Sequence, residues 1–218
     1  MYKRQLVILV SFIIVSSFLK YRTFCENEIS KIEIRQMSYE DALTGLQNRR
    51  SLQSYLENNY MNPEKTAGQL GVMMLDIDYF KNYNDSYGHV KGDWVLARIG
   101  ELLTCAGKKY DVAPFRYGGE EFIIFADGKP LEQTKEIAND IARMLRELKI
   151  EFSGGIEGIV TASIGVCYTD FAGGDARGIY QYINASDDAL YSAKENGRNR
   201  VVVKTMASVM DEAVQTKA

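Results

Sequence analysis

The sequence predicts a layered α/β domain, and three observations carry that expectation. From Leu43 onward, apolar runs of strand length alternate with stretches of helical periodicity. A glycine pair, Gly118-Gly119, separates two strand-like runs in the middle of the chain. Of 218 residues, 46% are hydrophobic and 25% charged, which suits one ordinary domain with a proper core and a small appendage.

Taken in order, the first helix is expected from about Arg49 to Tyr60, followed by a loop centred on Pro63 and Gly68. Leu70 to Leu75 is a short apolar run ending in charged residues, the pattern of a buried strand. Trp94 to Cys105 sets Val95, Leu96, Ile99, Leu102 and Leu103 on one helical face. Val112–Tyr117 and Glu121–Ala126 then read as a hairpin, because both glycines between them tolerate the positive φ of a tight primed turn. Thr134, Ile137, Ala138, Ile141, Leu145 and Leu148 mark another amphipathic helix. Ile159 to Tyr168, rich in β-branched residues, is expected as a strand. A helix follows to about Glu195, stopped by Gly197, and Val201 to Val203 form a last strand. Strands alternating with helices around one hairpin give a layered architecture.

The first forty residues differ in kind. Leu6 to Leu19 carries no charge between Lys3-Arg4 and Lys20-Arg22. Fourteen residues at a ~1.5 Å rise span roughly 21 Å as a helix, short of the ~30 Å hydrocarbon core. A single membrane anchor, a cleaved signal and a buried helix all remain open, and the anchor is favoured. No convincing small-x-small site follows the run, and Tyr2, Tyr21 and Phe24 can extend the span at the interfaces. The basic residues after the run lean toward a cytoplasmic domain on a single-pass inner-membrane protein. Residues 25–40 are expected as a connector helix, and no sensory domain is expected before the main domain. The expected division is therefore 1–24 membrane segment, 25–40 connector, 41–204 main α/β domain and 205–218 tail.

A net charge of −3 argues against a general nucleic-acid binder. Cys25, Cys105 and Cys167 form no CxxC pair, so neither a disulfide framework nor a zinc site is suggested. Cys105 and Cys167 lie in apolar-patterned stretches and are expected to be buried.

Two acidic clusters stand out: Asp76-Ile77-Asp78 at a strand end and Glu120-Glu121 after the glycine pair. Carboxylates so placed can converge on one sheet edge, where Mg²⁺ takes one or two of them together with phosphate oxygens. The plain alternatives are that Asp78 caps a following helix and that the glutamates are solvated. Asn84 and Asp93 offer the amide and carboxylate needed to read a guanine edge. Lys194 and Arg198 either balance a helix terminus or hold a triphosphate.

Read together, these segments resemble the GGDEF family of diguanylate cyclases from Asp41 to Val203. The opening motif is Asp41-Ala42-Leu43-Thr44-Gly45-Leu46-Gln47-Asn48-Arg49. Asp76-Ile77-Asp78-Tyr79-Phe80-Lys81, Asn84-Asp85, and Gly88-His89 with Gly92-Asp93 follow, and the signature is Arg116-Tyr117-Gly118-Gly119-Glu120-Glu121-Phe122. Thr161-Ala162-Ser163-Ile164-Gly165, Asp187 to Lys194, and Gly197-Arg198-Asn199-Arg200 close the series.

The resemblance implies a mostly antiparallel sheet flanked by helices, like nucleotidyl-cyclase and polymerase palms. It implies that Asp76, the Ile77 carbonyl and Glu120 bind two Mg²⁺ ions (or Mn²⁺), with Glu121 close by. Glu120 is then also the general base, and Lys81 stabilises charge on the phosphates. The backbone at Phe80 cradles the phosphates and Lys194 and Arg198 grip them. Asn84 and Asp93 bind guanine with His89 near the nucleotide. The implied activity condenses two GTP into cyclic di-GMP in a homodimer. The alternatives are a non-catalytic nucleotide receptor or interaction module, and a cyclase making a mixed guanine–adenine product.

Two departures from the family pattern stand out. Lys108-Lys109-Tyr110-Asp111 replaces the Arg-x-x-Asp of an inhibitory product site, and one extra residue separates it from the signature. Lysine lacks arginine's planar fork, so tight feedback inhibition is not expected. Ser186 replaces a usual alanine, which is expected to be harmless.

Overall fold

The computed structural model describes residues 16–24, 39–61, 68–171 and 176–206. The chain divides into two units, Met1–Tyr39 and Glu40–Ala218. In the first, residues 16–24 are helical, with Phe18, Leu19, Tyr21 and Phe24 exposed. Most of the 6–19 segment and nearly all of the 25–40 connector lie outside the described residues. Among the described residues, no helix is long and apolar enough to cross a membrane.

The second unit is built on β1 (Gly68–Ile77). It sits at the centre of a five-stranded sheet, flanked by β3 (Glu121–Asp127) and β4 (Ala162–Phe171), with β2 (Ala113–Gly118) and β5 (Val201–Thr205) at the edges. Among the strand pairs of this sheet, β4–β5 is parallel and the other three are antiparallel. The mostly antiparallel sheet that the resemblance implied is therefore present.

Helices cover both faces. Met73, Leu75 and Ile77 pack with α3 (His89–Tyr110) and α4 (Leu131–Glu147). Leu70, Val72 and Met74 pack with α1 (Arg49–Asn59) and α5 (Ala176–Glu195). A strand buried on both faces has no polar side to show, so β1 reads as an unbroken apolar run. The approach of α5 to β4 depends on Gly165, where a Cβ would lie 2.0 Å from the Leu190 nitrogen and 2.2 Å from the Ser186 carbonyl oxygen. The buried Ser186 hydroxyl donates to the Ile183 carbonyl, so this departure leaves no unpaired group.

Four expectations need correction. The helix expected from Trp94 begins at His89, and a separate helix, α2 (Phe80–Tyr87), precedes it across Gly88 at φ 84°. Only its first turn escaped the periodicity, since His89, Val90, Lys91 and Asp93 are exposed and the apolar stripe begins at Val95. In the hairpin, Gly118 lies within β2 opposite Glu121, and Gly119-Glu120 make the turn. Of the two glycines only Gly119 has positive φ, at 51°. Cys105 is exposed, off the Val95–Ile99–Leu102–Ala106 stripe, while Cys167 is buried as expected. The strand expected from Ile159 starts at Ala162, because Ile156–Gly158 form a 3₁₀ turn and Ile159 pairs back to Glu151.

Candidate active site

The sheet register brings the two acidic clusters together. β1 and β3 run antiparallel with Asp76 opposite Glu121, so the end of β1 meets the start of β3 and the turn residue Glu120. Asp76 is buried, and its Oδ2 lies 2.9 Å from Lys194 Nζ on the last turn of α5. Burial pushes the Asp76 carboxyl up to about 6; Lys194 pulls it down, while the charges of Glu120 and Glu121 push it up. Asp76 thus has one lysine against it and feels the charges of two further carboxylates, which leaves its surroundings short of positive charge.

Among the described residues, no group of three His, Cys, Asp or Glu side chains is arranged to hold a metal by itself. Carboxylate oxygens are donors of the kind Mg²⁺ takes one or two at a time, completing its shell with waters and substrate phosphates. Asp76, Glu120 and the adjacent Glu121 are the side chains able to hold it, beside the Ile77 backbone at the end of β1.

Asp78 has a different role from Asp76. It is buried and accepts from Thr161 Oγ1 and Ser163 Oγ at 2.7 Å each and from the Asn199 backbone N–H at 3.0 Å. It does not cap α2. The N-cap there is Tyr79, in the left-handed region (φ 56°, ψ 29°), with no side-chain capping bond. The amides opening α2, at Phe80 and the exposed Lys81, thus form an uncapped positive pole.

The α2–α3 corner places the proposed base readers. Gly92 packs under Asn84, where a Cβ would fall 1.8 Å from Asn84 Oδ1. That oxygen is buried with no hydrogen-bond partner among the described residues. A buried acceptor without a donor costs about 1–3 kcal/mol, so a ligand N–H there would be favoured. Asp93 and His89 are exposed on the first turns of α3, and Phe80 is buried beside Gly92. Lys194 and Arg198 both lie at the C-terminal end of α5. Arg198 Nη1 donates to the Lys194 carbonyl at 3.2 Å, the helix-capping contact that the sequence allowed.

The sequence did not reveal the brace behind the turn. Arg116 donates to the Gly119 carbonyl through Nε and Nη2 (3.1 and 2.8 Å) and to Asp41 Oδ1 through Nη1 at 2.8 Å. The same Asp41 oxygen accepts from the Thr44 amide and hydroxyl. Burial works to raise the Asp41 carboxyl, but the Arg116 and Thr44 hydrogen bonds outweigh it and hold it below the ordinary range. The opening motif therefore fixes the Glu120 turn from behind.

A mixed sheet flanked by helices, with acids at adjoining strand ends and a lysine on one of them, defines a palm-like α+β domain. Residues 38–200 match the family described as "Diguanylate cyclase, GGDEF domain", and the chain belongs to that family. It is 36% identical over 170 residues to diguanylate cyclase DgcM of Escherichia coli K12, covering 78% of this chain and 39% of that protein. It is 31% identical over 182 residues to the cyclic di-GMP phosphodiesterase PdeR of the same organism, covering 83% of this chain and 26% of PdeR. The chain thus spans well under half the length of these curated relatives. Among solved structures, the coiled coil and GGDEF domain of DgcB from Caulobacter crescentus, in complex with c-di-GMP, shares the fold. Its TM-score is 0.75 at 23% identity, over 88% of this chain and 99% of that one. Diguanylate cyclase SiaD of Pseudomonas aeruginosa, in complex with its activator SiaC, gives a TM-score of 0.67 at 29% identity, over 93% and 74%.

Proposed function

We propose that this domain is an active diguanylate cyclase that condenses two GTP into cyclic di-GMP and two pyrophosphates. The observation that carries the reading is the meeting of Asp76, Glu120, Glu121 and Lys194 at one sheet edge. PdeR is named as a cyclic di-GMP phosphodiesterase, so family membership alone does not decide activity; the intact acids support the cyclase reading.

Asp76 and Glu120 would hold Mg²⁺, which would supply Lewis-acid stabilisation of charge at phosphorus. Glu120 takes the proton of the attacking 3′-hydroxyl. The new O–P bond forms at the α-phosphorus of the second GTP as its bond to pyrophosphate breaks, and the step occurs twice. Lys81 and the amides opening α2 hold the phosphates, with Lys194 and Arg198 closing on them. Asn84 and Asp93 receive guanine, and Asn84 Oδ1 gains the donor it lacks. One domain holds one GTP and two bonds must form, so two copies face each other, at least transiently.

The residues at the inhibitory position support weak product feedback. Lys108 is exposed, and Asp111, in the left-handed region at the end of α3, pairs with Lys129 at 3.5 Å. Strong inhibition by micromolar cyclic di-GMP would refute this. The uncharged 6–19 run supports anchoring in the inner membrane with the domain in the cytoplasm, and recovery of the whole full-length chain in the soluble fraction would refute that. Incubation of the full chain with GTP, ATP and Mg²⁺, read by mass spectrometry, is expected to yield cyclic di-GMP. A mixed dinucleotide, or bound GTP without product, would reject the assignment.

A further inference from the structure

Tyr79 is an aromatic residue in a place where the backbone favours a different one. Its φ of 56° is uncommon for residues with a side chain, and Asn tolerates it far better than a bulky ring. The ring is 40% exposed, so core packing does not account for it. Instead the Arg198 guanidinium carbon stands 4.5 Å from the ring centre, and Arg198 Nη1 reaches the Tyr79 hydroxyl at 3.4 Å.

Arg198 is held from other sides as well. It too is left-handed, with φ 60°, as is Asn199 at 46°. The Asn199 amide is tied to the buried Asp78 carboxylate, the Arg198 amide donates to the Ala193 carbonyl, and Nη1 donates to the Lys194 carbonyl. Among the described residues, no carboxylate forms an ion pair with Arg198. A guanidinium fixed on a ring face and a helix-end carbonyl, yet without a counter-anion, is ready for an incoming one. The ring that holds it belongs to the N-cap of α2, the helix whose first amides lack a side-chain cap.

We infer that Tyr79 is a positioning residue: its ring face presets the Arg198 guanidinium beside the α2 N-terminus, so that both grip the phosphates of one nucleotide. This rests on the proposed GTP site and adds a residue to it. The gain is preorganisation, since an arginine already fixed loses little side-chain freedom when the nucleotide arrives.

The test uses the full-length protein with Tyr79→Asn and Tyr79→Phe. Asn suits the left-handed backbone, so its melting temperature should not fall. Its KM for GTP and its Kd for a fluorescent GTP analogue should nevertheless rise about threefold to tenfold, with kcat changed less, the range expected of a partly exposed cation–π contact. Phe keeps the ring face and should stay within about twofold of wild type. Adding Tyr79→Asn to Arg198→Ala should weaken binding no further, because the ring acts through that arginine. Unchanged KM and Kd in Tyr79→Asn, or full additivity with Arg198→Ala, would overturn the inference. If wild type binds GTP without making product, the cyclase reading fails, while the binding arm still decides the role of Tyr79.

Discussion

Two aspartates, two residues apart at the end of β1, occupy sites of opposite character. Asp78 sits among donors: two hydroxyls and a backbone amide from distant segments close on its carboxylate. Asp76 sits among other acids, with Lys194 as its charge partner, and burial pushes its carboxyl up to about 6. A buried carboxylate that is fully hydrogen-bonded holds a structure together. One that shares its pocket with like charges stores unfavourable energy that a cation or a charged substrate releases. The comparison separates a brace, Asp78, from the proposed metal ligand, Asp76, within a single Asp-x-Asp.

The largest expected effect lies on the Asp76 side. Glu120→Gln should lower turnover by at least ~100-fold while leaving the melting temperature nearly unchanged, as loss of a general base does. Retained turnover would remove Glu120 from that role. On the other side the balance reverses. Asp78→Ala leaves Thr161, Ser163 and the Asn199 amide without their acceptor and should cost about 2–4 kcal/mol of stability in urea unfolding. The fluorescence of Trp94, the single tryptophan, can report that unfolding.

A smaller effect is expected at the opening motif. Asp41→Ala frees Arg116 from one of its two anchors and should cost about 1.5–3 kcal/mol, the usual worth of a hydrogen bond to a charged group. Turnover should fall with it as the Glu120 turn loosens. Unchanged stability and activity would show that the Gly119 carbonyl alone steers Arg116.

The smallest effect concerns pH in the metal-free protein. The Asp76 carboxyl sits at about 6 when folded against an ordinary 3.8, so between those values the folded chain keeps a proton that the unfolded chain has released. Its contribution is thus full below pH 3.8 and lost as pH rises through 6. In EDTA, Asp76→Asn should gain on wild type by on the order of 1–2 kcal/mol between pH 4 and pH 7. No change in the difference between the two proteins across that range would place Asp76 in an ordinary environment.

Much of this was legible in the sequence for physical reasons. β1 showed as a continuous apolar run because helices cover both its faces, and the acids stood out because the chain places them at a strand end and a turn. The first turn of α3 was hidden because it buries almost nothing, and Cys105 misled because it neighbours an apolar stripe without belonging to it. The braces were hidden for another reason. Arg116 reaches Asp41 across 75 residues, and Asn199 reaches Asp78 across 121. No local pattern encodes such a pair. The resemblance already set Asp76 apart from Asp78; the three donors that close on Asp78 became visible only in the fold.

The most direct test is a Mn²⁺ titration of the full-length protein saturated with a non-hydrolysable GTP analogue, followed by electron paramagnetic resonance. Tight nucleotide-dependent Mn²⁺ binding is expected in wild type, with a large loss in Asp76→Asn and Glu120→Gln and near-wild-type binding in Asp78→Asn variants that remain folded. Equal binding in wild type, Asp76→Asn and Glu120→Gln would contradict the assignment of those acids to a shared metal site.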